Sequence, residues 1–266
     1  MKSDHEERLS QGMHAGSESN HPTDFVAIGQ SLVFSGELIG ASGTEWRVRI
    51  DHFLIGDLSE LIDFGERFSH VDPYDRYILV NALGDGRQLI AAPKWEKTHE
   101  GYVVSCAVRA GFPRTNVHRL PADLALNEAH DLFLVNGDLA MVSGLDAFPQ
   151  KIKMCLSTLR GEVLFHRNFG TRIKEYFDDL KGSSWLPRLI KLEVIRLACI
   201  PYRDPVGLRE YTPMHSVKRV RSVDQVASDA EADWQPFRFL LDVEGVGPWQ
   251  CDISIFIPRG QRQHLG

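Results

Sequence analysis

Phe237-Arg238-Phe239-Leu240-Leu241-Asp242-Val243 and Trp249-Gln250-Cys251-Asp252-Ile253-Ser254-Ile255-Phe256-Ile257 flank the turn-forming residues Gly245-Val246-Gly247-Pro248. The apolar set of the first run lies on odd positions, and Trp249, Cys251, Ile253, Ile255 and Ile257 repeat the alternation, so each run offers one face to a core. Two such runs joined by a glycine-rich turn predict a β-hairpin. Upstream, past a loop holding Pro205, Gly207 and Pro213, Met214 to Val223 reads as a further extended segment.

Before that loop the apolar period changes from two to that of a helix. Leu145, Phe148, Ile152, Cys155 and Leu159 recur at three and four residues, which predicts a helix with Ser143 as its N-cap. A second helix is expected to start at Thr171, bury Ile173, Tyr176, Phe177 and Leu180, and end at Gly182. A third starts at Ser184, carries Pro187 in its first turn, buries Leu189, Ile190, Val194 and Leu197, and stops at Pro201. Three helices on a small antiparallel sheet make residues 143–266 an α+β unit.

Residues 25–142 carry short β-type runs separated by turn residues. Leu32-Val33-Phe34, the alternating Trp46, Val48 and Ile50, Tyr77 to Asn81, Leu89-Ile90-Ala91 after Gly84-Asp85-Gly86, and Tyr102 to Val108 belong to this set. Leu132 to Val135 and Leu139 to Val142, joined by Asn136-Gly137-Asp138, are expected to close an antiparallel barrel or sandwich. Residues 1–24 are rich in Ser, Gly, His and acidic residues and too poor in apolar ones to offset their ordering entropy, so a flexible arm is expected there.

With 266 residues, 43% hydrophobic and 25% charged, the chain can bury a core and divide into two domains. No apolar run approaches the ~20 residues needed to span a bilayer, and the first thirty residues lack a signal-type apolar stretch, so the expectation is a soluble protein made in the cytoplasm, without membrane contact. Cys106, Cys155, Cys199 and Cys251 each sit in an apolar segment and are expected to be reduced, buried hydrophobes. Without a CxxC, HxH or HExxH spacing, neither metal nor cofactor is expected.

The net charge of −6 conceals a division, because residues 1–150 carry 12 Lys+Arg against 22 Asp+Glu, residues 151–221 carry 15 against 7, and residues 222–266 carry 3 against 7. A basic middle between acidic flanks suits charge-complementary docking as well as it suits solvated helix faces. Nucleic acid is not the expected partner, because the cations lie along helices with apolar stripes and no stacking-aromatic motif accompanies them, and a nucleic-acid-binding module using residues 151–221 stands as an alternative reading.

The densest cluster of chemistry is the interhelical turn Thr158 to Gly170, which holds Arg160, Glu162, His166 and Arg167. A hydrolase would use Glu162 as general acid with Asp178 or Asp179 as its partner, because glycoside cleavage needs two carboxyls across the scissile bond. A Cys155–His166 nucleophile pair is weaker, because Cys155 lies on the apolar stripe, where its thiol is shielded. Arg160 and Glu162 can equally form an ion pair that buries the turn against its own helices. The length of the turn and the guanidinium groups beside Phe165 and Phe169 favour a protein interface.

The runs Gly137-Asp138-Leu139-Ala140-Met141-Val142-Ser143-Gly144, Leu156-Ser157-Thr158-Leu159-Arg160-Gly161-Glu162 and Asn168-Phe169-Gly170 resemble the gene-25-like baseplate wedge family of contractile phage tails, which has a counterpart in type VI secretion. Ile190 to Leu197, the Tyr202-Arg203-Asp204-Pro205-Val206 turn and the closing hairpin extend the resemblance over about residues 137–258. Members have been labelled baseplate lysozyme without that implying an active site. The resemblance implies a non-enzymatic structural subunit of a virion, present in several copies in a symmetric assembly. Its expected partners are other wedge proteins, the tail sheath, and tube or hub proteins. It implies that the helix-turn joins the wedge core bundle and that the strands offer an edge to the first sheath subunits. Arg160, Gly161, Glu162, Phe169 and Gly170 take the motif's places, with Arg196 in the later helix. His166-Arg167-Asn168 stands where a proline is usual before Phe-Gly, and Arg203 precedes rather than follows Asp204-Pro205.

Overall fold

The computed structural model describes residues 24–203, 210–226 and 232–258, so the expected arm, up to Thr23, and the Asp204-Pro205 turn lie outside the described residues. Seven antiparallel strands come first: β1 (Asp24–Ile28), β2 (Leu32–Ala41), β3 (Glu45–Ile55), β4 (Tyr77–Val80), β5 (Asp85–Gln88), β6 (Lys94–Thr98) and β7 (Gly101–Ala107). Their order in the sheet is β5-β4-β1-β2-β3-β7-β6. The outer edge of β7 is shared, with β6 along its length and, past Ala107, with the continuation of β5. There Leu89 bridges Val108, the Ile90 N–H donates to Ala107 O (3.0 Å) and the Arg109 N–H donates to Gln88 O (2.8 Å). Those bonds close six strands into a barrel and leave β6 as a flap on its outside.

Period two then sorts the side chains. Val26, Ile28, Phe34, Val48, Ile78 and Val104 form one buried cluster inside the barrel. The opposite faces of β1, β2 and β4 are apolar too, and Phe25, Ala27, Val33, Tyr77 and Leu79 enter a second core. A wall buried on both sides reads as an unbroken apolar run rather than an alternation, which is why Phe25-Val26-Ala27-Ile28 escapes a period-two reading. A helix not expected from the sequence, α1 (Leu58–Glu66), adds Leu61 and Phe64 to the barrel core, and the Asp57 carboxylate caps it by accepting the Glu60 N–H (3.1 Å).

The expected closing strands lie elsewhere. β8 (Asp123–Leu124) pairs with β11 (Met141–Val142), and β9 (Leu134–Val135) pairs with β10 (Asp138–Leu139), as two short ribbons separate from the seven-stranded sheet. The turn after Val135 uses Asn136 and Gly137, both at positive φ, which ends the run before it can reach the barrel.

Three helices follow: α2 (Gly144–Ser157), α3 (Ile173–Leu180) and α4 (Leu186–Cys199). Ser143 occupies the N-cap position of α2 without a side-chain bond, and Pro187 sits in the first turn of α4. Thr171 is not the cap of α3: its buried hydroxyl donates to Leu156 O (3.0 Å), and Arg172 stands at the N-cap. After the short pair β12 (Tyr202–Arg203) and β13 (Glu210–Tyr211) come β14 (Val217–Gln225), β15 (Trp234–Val243) and β16 (Gly247–Phe256), in the order β14-β15-β16. Met214 to Ser216 forms a turn rather than the start of a strand. The hairpin follows the expected alternation, with Phe237, Phe239, Leu241 and Val243 facing Ile253, Ile255 and Ile257 in the second core. On the solvent face, Arg238 makes a two-bond fork with Asp252 (2.8 Å each). α4 packs on β14, α2 on β16, and α3 on α4, so the chain is α+β with its helices and its barrel wall sharing one core.

The two edges of the small sheet differ. Along β14 the Val220 N–H donates to Gly84 O (2.9 Å) in the β4–β5 turn. Gly84 has φ +60°, and a Cβ there would lie 1.9 Å from Val220 O, so only glycine lets the barrel turn approach that closely. On β15, Pro236 O accepts from Val226 and the Glu244 N–H donates to Ser216, so even residues of β15 face β14 and odd ones bond β16. Even residues of β16 therefore face outward. The Phe256 N–H donates to Ser157 Oγ (2.9 Å) and Pro248 has no N–H, which leaves Gln250, Asp252 and Ser254 as donors without a backbone partner among the described residues.

Candidate interaction site at the α2–α3 connection

Thr158 at the end of α2 and Thr171 before α3 run side by side, with Thr171 N–H donating to Thr158 O (2.9 Å) and Arg160 N–H to Thr171 O (3.0 Å). Between them, Leu159-Arg160-Gly161-Glu162 forms a tight turn closed by Glu162 N–H to Leu159 O (3.1 Å), with Gly161 at φ +84°. The Glu162 carboxylate folds back and accepts the Leu159 N–H (2.7 Å). Sequence proximity thus produces a self-capping turn.

Arg160 does not pair with Glu162. Its guanidinium crosses to the barrel and donates to both oxygens of Asp75 (3.0 and 2.9 Å), both side chains being largely buried. Burial pushes the Asp75 carboxyl above its usual range, and the pull of Arg160 only partly offsets it. Beside this pair the Asn168 amide donates to Asp72 Oδ2 (2.6 Å), so the connection grips the Asp72–Asp75 segment of the barrel at two points.

Arg196 lies deeper, at 1% exposure, and is no surface residue of the folded chain. It donates to Glu193 Oε2 (2.7 and 3.1 Å), to the Tyr74 hydroxyl (2.7 Å) and to Gly170 O. Burial opposes its charge, and the Glu193 carboxylate nevertheless holds its pKa well above the ordinary arginine value. Burial pushes the Tyr74 hydroxyl up to about 12, so it stays protonated. Gly170 is buried as well, at φ +100°, where a Cβ would lie 2.5 Å from Leu159 O. Within the folded chain Arg196 and Gly170, both expected at a partner interface, are enclosed and tie the base of the connection to α4 and the barrel. Phe169 packs its ring edge on Tyr202 (centroids 5.6 Å apart) and is likewise engaged within the chain.

No hydrogen bond or ion pair among the described residues joins Glu162 to Asp178 or Asp179, or Cys155 to His166. Asp178 bonds Lys174 one turn back on α3, while Glu162 caps its own turn. Burial pushes the Cys155 thiol to about 11, and His166 Nδ1 sits 3.0 Å from the Tyr202 hydroxyl. Among the described residues no three His, Cys, Asp or Glu side chains group to hold a metal, and no helix is long and apolar enough to cross a membrane.

The middle of the connection does reach solvent. Leu164 and Phe165 are 72% and 70% exposed, the highest values among the large apolar side chains described. Together with Pro201 to Arg203 they form one side of a groove of about 690 Å³, whose other side is the barrel: Pro73, Arg76, Gln88, Ile90 and Arg109. Sequence reading found the connection and missed the barrel wall facing it, because Arg76, Ile90 and Arg109 are scattered through a β-rich stretch and meet only once the barrel seam closes. Comparison with known protein families, with curated proteins and with solved structures finds no match to this chain.

Proposed function

We propose that this chain is a structural assembly subunit, a wedge component of a contractile-tail baseplate that joins other wedge proteins through the α2–α3 connection. The observation that carries the reading is the division of labour within the connection. Arg160, Glu162 and Asn168 are spent on Asp75, Leu159 and Asp72 inside the chain, while Leu164 and Phe165 project into solvent beside Arg167. An exposed apolar tip on a braced loop is what a protein contact uses, and it has no use in a soluble monomer. The resemblance of residues 137–258 to the wedge family supplies the kind of assembly, and the outer edge of β16 would take a sheath strand at Gln250, Asp252 and Ser254.

The test is Leu164→Asp/Phe165→Asp, two exposed positions whose change leaves the core intact. Expected is a folded subunit that no longer supports complete baseplates, counted by electron microscopy as tail-bearing particles. Wild-type particle numbers from that variant would overturn the proposal.

A further inference from the structure

The groove between the barrel and the α2–α3 connection has a composition that specifies what fits it. It is lined by Arg76, Arg167 and Arg203 in a chain whose net charge is −6. Among the described residues its acidic member is Asp72, whose two oxygens accept the Tyr74 N–H (2.8 Å) and the Asn168 amide (2.6 Å) and are thus already bonded. Arg76 is held in place by Val71 O (2.8 Å) and Ser69 O (3.0 Å), so its charge is fixed at the groove wall. Between the cations stand Ile90, 60% exposed, from the barrel and Phe165 from the connection.

From this we propose that the groove docks an acidic polypeptide segment of another protein, anchored by a leucine or aromatic side chain between Ile90 and Phe165. Planar guanidinium groups pair with carboxylates in two-bond forks, and the apolar pair supplies the desolvated centre that such contacts need. The volume is in the range of a specific cleft. A phosphate-rich polymer would satisfy the arginines and leave Ile90 and Phe165 without a use, which favours a polypeptide. The inference deepens the assembly reading by naming the partner's chemistry. The two fail separately, since particle counts test assembly and peptide binding by the isolated subunit tests the groove.

The experiment selects a random 12-residue peptide library, displayed on filamentous phage, against the full chain, and measures the winners as fluorescein-labelled peptides by anisotropy at low and high salt. Expected are sequences of net negative charge containing leucine or an aromatic residue, with affinity that falls as salt rises. Arg167→Glu/Arg203→Glu should weaken them at least tenfold and Phe165→Ser or Ile90→Ser at least fivefold, with circular dichroism unchanged, while Lys97→Glu on the far β6 flap has no effect. Failure to enrich any peptide, neutral or basic winners, or affinity indifferent to the groove variants would overturn the proposal. So would polyphosphate binding that is indifferent to Phe165→Ser and displaces the peptides, or charge-dependent self-association of the chain in place of peptide binding.

Discussion

Replacing Arg160 by alanine removes the cation that faces Asp75 and leaves the carboxylate with a hydrogen bond from Gln30 and the charge of Arg196 beyond it. Both side chains of the pair are nearly out of solvent, at 13% and 10% exposure. Breaking a buried pair from one side typically costs ~3–5 kcal/mol, because a charge is stranded in a medium that solvates it poorly, and the residual exposure here puts Arg160→Ala at about 3 kcal/mol near neutral pH. The sign of the pH dependence follows from Asp75. Its folded pKa is raised, so its contribution to stability is complete below the unfolded carboxyl value and is lost as pH climbs through the folded value. Removing Arg160 takes away the interactions that held the folded value down, and it rises further. The deficit of the variant is therefore largest where Asp75 would be ionised and shrinks as the pH falls toward about 4, the ordinary range of a carboxyl. Urea denaturation followed by tryptophan fluorescence at pH 7.5 and pH 4.5 reads both numbers. An equal loss at the two pH values, or a loss below about 0.5 kcal/mol at neutral pH, refutes the reasoning, since either places the pair in solvent. Arg160→Met/Asp75→Asn, which strands no charge, should recover most of the loss.

Gly170→Ala forces a side chain into Leu159 O at positive φ and should cost about 2–3 kcal/mol, visible as a lowered urea midpoint; an unshifted midpoint would mean that the connection relaxes freely. Arg196→Met leaves Glu193 buried and uncompensated, so a loss of ~3–5 kcal/mol is expected, most of it returned by Glu193→Gln in the same chain. Burial pushes Cys106 to about 12 and Cys199 to about 11, so iodoacetamide at pH 8 should modify these two only after unfolding, as counted by mass spectrometry. On the open edge, Asp252→Pro removes an outward N–H and should leave the subunit folded while abolishing strand addition by sheath; Ile255→Pro breaks the ladder to Gln235 and should instead lower stability by ~3 kcal/mol or more.

Local chemistry carried the sequence reading furthest where burial is one-sided. The β15–β16 hairpin alternates cleanly, and α2, α3 and α4 have stripes that need no knowledge of their neighbours. It carried less where tertiary context decides. β1 is apolar on both faces, so it offers no period. α1 was legible in principle, from Asp57 and Glu60 at capping spacing and from Leu61 and Phe64 three apart, but it is short and lies in a β-rich stretch. The connection at residues 158–170 was legible as a cluster, and its roles were not. Arg160 reaches Asp75, 85 residues earlier in the chain, and no local pattern announces such a partner. Arg196 is one cation among many on paper, and its burial with Glu193 follows from helix spacing only when the second half of α4, from Leu192 on, is known to be enclosed on all sides.

The doubly buried wall of β1, β2 and β4 has a mechanical consequence. A hinge between two bodies needs a surface that can part, and here Phe25, Val33 and Tyr77 are gripped by the helices while their strand neighbours Val26, Phe34 and Ile78 are gripped by the barrel interior. The Arg160 clamp and the Gly84–Val220 bond cross the same plane. A load applied at the tip of the connection or along β16 would pass through this wall, so that the barrel and the helical layer turn together.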